Sequence, residues 1–402
     1  MIFTTLEGQK NLPRYFSQVF TIAKRGENGR IDFILNDGRI FRAEGPNEGP
    51  TCEVQVHDHG VFARLLREGQ LGFCDAYLEG QWSSPDLQAF MDYFHADNDV
   101  VFESFPGQKL IQLYERFRFF LQRNSKDQAR KNISYHYDLG NDFYGLWLDE
   151  SMTYSSAIFE TGKESLKQAQ AKKYASMIDQ MGVKAGEHVL EIGCGWGGFA
   201  EYAAKERGLK VTCLTISEEQ FKYAHERIDK AGLQDMVKFK LQDYRDETGV
   251  YDGIASIEMF EAVGEQYWPE YFSTVRDRLK PGAQATLQII TVQNKNFETY
   301  RKSVDFIQKY IFPGGMLPSL NVLGEQVSKA GLKVEKTIAF GESYSQTLRQ
   351  WHDVFNRKWD KVVTMGFDER FRRMWNFYLT SCAATFNYGN CDVIQITISK
   401  PN

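Results

Sequence analysis

No stretch of the 402 residues is long and apolar enough to span a bilayer: the run from Ala283 to Val292 is among the longest without a charge, and roughly 18 such residues are needed. Only 10 prolines are present and the 33 glycines follow no period, which excludes collagen-like and low-complexity chains. Six cysteines (Cys52, Cys74, Cys194, Cys213, Cys382 and Cys391) form no Cys-x-x-Cys pair and no dense framework, so a reducing, cytoplasmic setting is expected. The seven histidines are equally scattered. His57 and His59 would share one strand face, but with no cysteine pair nearby they read as a polar hairpin edge, and no metal is expected. The opening residues, with Glu7 and no apolar stretch, are not expected to act as a secretory leader. Net charge is only −5 and the isoelectric point is near 5.9, so the whole molecule should not be drawn to nucleic acid.

Apolar and aromatic residues are what the chain has in quantity: 42% of it is hydrophobic and 14% aromatic, which excludes intrinsic disorder. At about 100–200 residues per domain, the length predicts two or three domains. Charge is concentrated in one place. From Lys109 to Lys131 seven bases (Lys109, Arg116, Arg118, Arg123, Lys126, Arg130 and Lys131) face two acids (Glu115 and Asp127). Leu110, Tyr114, Phe117 and Leu121 recur at helical spacing there, so an amphipathic helix is expected. Two readings stay open: a helix lying at a membrane interface, or a linker helix packed on a domain with its bases in water.

Rhythm divides the chain into three parts. Residues 1–105 read as a small α+β N-terminal domain, with a hairpin signal at Asn36-Asp37-Gly38 and short helices in GVFARLLREG and SPDLQAFMDYF. Residues 106–132 form the basic linker. Residues 133–402 alternate helix and strand: helix 164–181, strand 187–192, helix 199–206, strand 210–216, helix 218–230, strand 236–242, strand 251–257, helix 267–279 and strand 283–292. That alternation predicts an α/β, doubly wound, mostly parallel sheet, with 293–330 inserted over its C-terminal edge.

The sharpest motif is VLEIGCGWGG (189–198), a buried strand running into glycines and then a helix. Glycines let the backbone turn tightly and approach a nucleotide-like ligand. Gly193, Gly195 and Gly198 satisfy G-x-G-x-x-G, but a dinucleotide site wants an acid about 20 residues on, where Thr215 stands. Glu191, just before the loop, matches instead the E/D-x-G-x-G-x-G signature of S-adenosylmethionine-dependent methyltransferases. Methyl donor outweighs dinucleotide.

Six segments in order carry a more specific resemblance: HYDLGNDFYGLWLDESMTYSSAIFE (136–160), VLEIGCGWGG, LTISEEQ (214–220), SIEMFEAVG (256–264), KYIFPGGMLPS (309–319) and FGESYSQTL (340–348). Together they resemble the cyclopropane-fatty-acyl-phospholipid synthase family, which includes the mycolic acid cyclopropane synthases. EGQLGFCDAYLEGQW (68–82) resembles the small N-terminal domain of its two-domain bacterial members. The resemblance implies a Rossmann-like class I methyltransferase domain. It places S-adenosylmethionine against Tyr154, Ser155, Glu191, Gly193, Gly195, Thr215, Ile216 and Gln220, with Tyr244 and Ile257 flanking the adenine.

Family members hold a bicarbonate ion as general base between two tyrosines, a cysteine, a histidine and a glutamate. Tyr137, Glu261 and Tyr344 match three of these positions. Ser156 stands where the family has cysteine, and Gln288 where it has histidine. Both can hydrogen-bond an anion, but neither can supply the positive charge of a protonated histidine. The implied activity is methyl transfer to the cis double bond of an unsaturated acyl chain in membrane phospholipid. The methylated chain is a carbocation. Proton loss from the new methyl closes a cyclopropane ring, the expected product; loss elsewhere yields a methylene or methyl-branched chain. Methylation of a soluble small molecule is the rival activity. Peripheral association with the inner membrane leaflet is expected, and a homodimer is left open.

Overall fold

A computed structural model describes residues 1–96, 116, 128 and 139–402. Apart from Arg116 and Gln128, the expected linker helix lies outside the described residues, and so does Tyr137. Two compact units are present. The first gathers Met1–Arg118, Ser303–Ile311 and Trp359–Tyr388, and the second Phe119–Lys302, Phe312–Lys358 and Gly389–Asn402. Two stretches that lie within 133–402 thus belong to the first unit.

In the first unit five strands, β1 (Ile2–Phe3), β2 (Asn28–Ile34), β3 (Ile40–Glu44), β4 (Asn47–Val56) and β5 (Trp82–Ser83), make a sheet in the order β1-β3-β2-β4-β5. β2 and β3 form the expected hairpin: Ile34 pairs with Ile40, and Gly38 takes φ +84 in the turn. GVFARLLREG proves to be the first half of a longer helix, Gly60–Leu78, which kinks at Gly69 (φ +64) and then resumes. Phe16, Phe20, Phe33, Phe41 and Phe62 pack edge to face or tilted under the sheet. The later stretches join a second cluster, with Phe306 on Phe377 at 4.5 Å, while Asp75 accepts from Tyr310 Oη (2.6 Å) and Lys309 Nζ (3.0 Å).

The second unit is built on seven strands: β6 (His188–Ile192), β7 (Lys210–Thr215), β8 (Val237–Leu241), β9 (Tyr251–Ile257), β10 (Leu279–Val292), β11 (Lys333–Ala339) and β12 (Cys391–Ser399). Their order is β11-β12-β10-β9-β6-β7-β8. Neighbours from β10 to β8 run parallel, and β12 runs antiparallel to both β10 and β11. This is the expected mostly parallel α/β sheet. Its helices start where their caps dictate. Ser165 and Gln168 form a capping box on Leu166–Met181, and Gly182 ends that helix in the left-handed region; Ser217 caps Glu218–Ala231. β10 starts four residues earlier than its apolar run, with a register shift across Pro281 and Gly282. β11 and β12 were not anticipated from the sequence; β11 is an exposed edge strand whose Lys and Glu side chains discourage further pairing.

From β6 the chain winds outward through β7 and β8, then returns to β9 and β10 on the other side. The order reverses between β6 and β9. At such a switch point the strand ends diverge and leave a crevice, where open α/β sheets bind ligands. No helix among the described residues is long and apolar enough to cross a membrane.

Candidate active site

β6 delivers the glycine loop to this crevice. Gly193 takes φ +81, and a Cβ there would lie 2.6 Å from Met259 Cγ, so a larger residue would have to displace the Met259 side chain. Gly195 takes φ +51, but its Cβ would meet nothing within 4 Å, so the space beside its backbone is open. The backbone N–H groups of Gly193 and Cys194 both donate to the Leu214 carbonyl at 3.0 Å, tying the loop to the end of β7. There Thr215 Oγ1 donates to Gln220 Oε1 at 3.1 Å, and both residues are buried. Glu191 is buried beneath the loop and takes a weak bond from Cys213 Sγ at 3.5 Å; burial pushes its carboxyl up to about 8, so it stays protonated near neutral pH. Tyr244 packs on Tyr271 at 5.4 Å, and Ile257 closes β9.

Beyond Ile257 the chain turns sharply. Glu258 adopts φ +48, a left-handed conformation costing a non-glycine residue roughly 1–2 kcal/mol. That turn aims its carboxylate at three donors. Oε1 accepts from the backbone N–H of Ser156 and from Gln288 Nε2, each at 2.8 Å; Oε2 accepts from the Tyr344 hydroxyl at 2.8 Å. Burial pushes Glu258 upward against the pull of these donors. The register explains Gln288: it pairs with Ile257 across β9–β10, and its own carbonyl accepts from the Glu258 N–H at 2.9 Å. Its amide is oriented from behind by Gln395 on β12, whose Nε2 donates to Gln288 Oε1 at 3.2 Å. Gln395 Oε1 in turn accepts from Ser176 Oγ and Gln180 Nε2, both at 2.7 Å.

Glu261 lies one turn on. Its Oε1 accepts from the Ile290 N–H at 2.6 Å, while Oε2 is buried with no hydrogen-bond partner among the described residues. Burial pushes it up to about 8, and the nearby Glu258 charge adds to the rise. Ser156 enters the site by its backbone N–H, because its hydroxyl donates to the Ala157 carbonyl at 2.9 Å. Ser155 is held from the helix Leu166–Met181. Lys173, fully buried, donates from Nζ to Ser155 Oγ at 2.7 Å, and Gln170 Nε2 donates to the Ser155 carbonyl at 3.0 Å. Burial lowers Lys173 to about 7 against the attraction of Glu258. An aromatic wall completes the site: Tyr154 sits 5.3 Å from Tyr144, 5.5 Å from Trp147 and 5.3 Å from Trp351, and Trp351 lies 6.2 Å from Tyr344.

Ser156, Gln288 and Tyr344 therefore converge on one carboxylate, with Glu261 beside it. Glu258 and Lys173 are the functional candidates that sequence reasoning passed over. The signal for Glu258 was in view, as a second acid in SIEMFEAVG. Lys173 had none, since Lys172-Lys173 reads as an ordinary solvated pair on an amphipathic helix. Chemically, the site offers an open glycine loop for a nucleoside, aromatic faces that favour a cation, and a carboxylate to accept a proton.

Residues 124–396 match the family model for mycolic acid cyclopropane synthetase. The chain belongs to this family. It is an S-adenosylmethionine-dependent methyltransferase. A tuberculostearic acid methyltransferase of Mycobacterium tuberculosis is 38% identical over 380 residues, covering 92% of this chain and 88% of that protein. The cyclopropane-fatty-acyl-phospholipid synthase of Escherichia coli K12 is 34% identical over 359 residues, covering 88% and 89%. Among solved structures of the family, a cyclopropane synthase of Mycobacterium tuberculosis superposes with a TM-score of 0.64 at 28% identity, covering 67% of this chain and 98% of that one. A mycolic acid cyclopropane synthase complexed with S-adenosylhomocysteine and CTAB gives 0.63 at 29%, covering 67% and 98%. The open backbone at Gly195 fits the nucleoside donor of this family. The anion site does not fit a bicarbonate in the same way, because the Glu258 carboxylate already engages Ser156, Gln288 and Tyr344.

Proposed function

We propose that the protein methylates the cis double bond of unsaturated acyl chains in membrane phospholipid. S-adenosylmethionine supplies an electrophilic methyl group; Tyr154, Ser155, Gly193, Gly195, Thr215, Ile216, Gln220, Tyr244 and Ile257 are the residues that would hold it. The observation that carries the reading is the pairing of an aromatic wall with a buried carboxylate at the donor loop. A carbon–carbon double bond has no proton to lose before it reacts, so a base is useful only afterwards, against a cation. The wall around Tyr154 shelters that cation, and its apolar faces suit an alkyl chain. CTAB, in the related complex, joins a long alkyl chain to a cationic head, the same two features.

The first reading of the product is a cyclopropane, formed when the transferred methyl loses the proton. A second reading, a methylene or methyl-branched chain, is favoured by Ser156 and Gln288 at the two altered positions and by the 38% identity to a tuberculostearic acid methyltransferase. Peripheral contact with the inner leaflet, through the basic stretch 109–131, is part of the proposal. The test is incubation with labelled donor and either liposomes of monounsaturated phospholipid or soluble acceptors, with NMR of the product. Label in lipid, gaining one CH2 per double bond, is expected. Label found only in soluble acceptors would overturn the reading.

A further inference from the structure

Three of the positions that the family resemblance assigns to bicarbonate, Ser156, Gln288 and Tyr344, find an anion within the chain. A carboxylate and a bicarbonate present the same planar O–C–O fork. The Ser156 N–H, Gln288 Nε2 and Tyr344 hydroxyl all close on the fork of Glu258, each at 2.8 Å. A second anion would have to share those three donors and sit against a like charge, which disfavours both.

The placement is held from several directions. Glu258 keeps φ +48, which points its side chain back toward Ser156 and Tyr344. Gln288 grips it twice, through its carbonyl on the Glu258 N–H and its amide on Oε1. Gln395 in turn occupies the Gln288 oxygen, which leaves the amide N–H facing Glu258.

We propose that the Glu258 side chain is the resident anion and proton acceptor of this active site, in place of an exchangeable bicarbonate ion. The assignment rests on the reading that a cation forms on the acyl chain. In the step, a C–H bond of that cation breaks. Its electron pair closes the ring bond or forms the new double bond, and the proton ends on Glu258. Oε2 is the receiving atom: among the described residues it takes one donor where Oε1 takes two, so it has a lone pair for the substrate. Burial, which lifts the basicity of Glu258, favours the same role.

The test uses the full chain and isotopically labelled bicarbonate followed by NMR, beside turnover of monounsaturated phospholipid in CO2-depleted buffer. Wild type is expected to bind no bicarbonate and to turn over equally with and without it. Glu258→Gly should fold, because glycine is at ease at φ +48. It is expected to bind bicarbonate, to lose turnover at least about 100-fold in depleted buffer, and to recover it when the ion is added. Glu258→Gln, which fills the space without a charge, should stay inactive in both buffers while binding donor normally. Bicarbonate bound by wild type, or wild-type turnover that vanishes on depletion and returns with the ion, overturns the assignment. Wild type that binds donor but methylates no lipid overturns the lipid reading instead, and the binding arm then decides Glu258 alone.

Discussion

Glu258 and Glu261 stand three residues apart and meet opposite surroundings. Three donors favour the charged form of Glu258 against a burial that pushes it upward, whereas Glu261 has one donor and, among the described residues, an unpartnered oxygen. A carboxyl raised to about 8 when folded, from 4.5 ordinarily, keeps a proton that the unfolded chain has already released. Stability is then whole below pH 4.5 and declines as pH rises toward 8, by up to about 1.4 kcal/mol per pH unit for each such group. Glu191 behaves alike. In thermal melts of the donor-free protein between pH 5 and 7, the stability of Glu261→Gln should fall less with rising pH than that of wild type. An unaltered slope in the variant would mean that Glu261 is ionised. The same variant should bind donor within a few-fold of wild type and lose less turnover than Glu258→Gln.

At the level of elements, the proposed donor site draws on the glycine loop and, through Ser155, on the helix Leu166–Met181. Gly193 is required by packing and Gly195 by access. Gly193→Ala adds a strained φ to a contact with Met259, so about 2–4 kcal/mol of stability should be lost and the melting temperature should fall. Gly195→Ala carries only the backbone strain, about 1–2 kcal/mol, yet places a methyl where the donor approaches. It should lose donor affinity more than tenfold in calorimetry while melting closer to wild type; the reverse ranking would show that the loop is structural alone. Behind Ser155, we propose Lys173 as a positioning residue. Lys173→Met fills the same volume without the bond to Ser155 Oγ. Stability should change by less than about 1.5 kcal/mol, the worth of one hydrogen bond, while donor affinity falls about tenfold. Equal loss of both would leave Lys173 a folding residue.

At the scale of the whole molecule, one stretch, Lys109 to Lys131, has a local excess of positive charge in a chain that is acidic overall. Basic residues near an anionic surface contribute about 1 kcal/mol each, so reversing Arg116, Arg118 and Arg123 to Glu should weaken binding to anionic liposomes at least about 100-fold at low salt. Unchanged sedimentation with liposomes would make the stretch a linker only. At this scale the chain also departs from a simple division at one point. Ser303–Ile311 and Trp359–Tyr388 return to the first unit, where Phe306 meets Phe377 and Asp75 meets Lys309 and Tyr310. Nothing local marks such a return, because an apolar face looks the same whichever core it enters.

By itself the sequence determined the parallel strands, the helices between residues 164 and 279 to within a few residues, and the glycine loop. These are local matters: hydrophobic period, caps such as Ser165 and Ser217, and glycines where φ is positive. It also named Gln288, Tyr344, Ser156 and Glu261 as one group, through an ordered set of motifs. Only the tertiary structure decided what stands at their centre. The register of β9 against β10 and the left-handed turn at Glu258 bring its carboxylate to donors between 30 and 102 residues away in the chain. A burial that gives Lys173 and Glu191 unusual protonation is likewise a property of what surrounds them. Residue type sets which bonds a side chain can make, and the fold sets which partner is within 3 Å to make them.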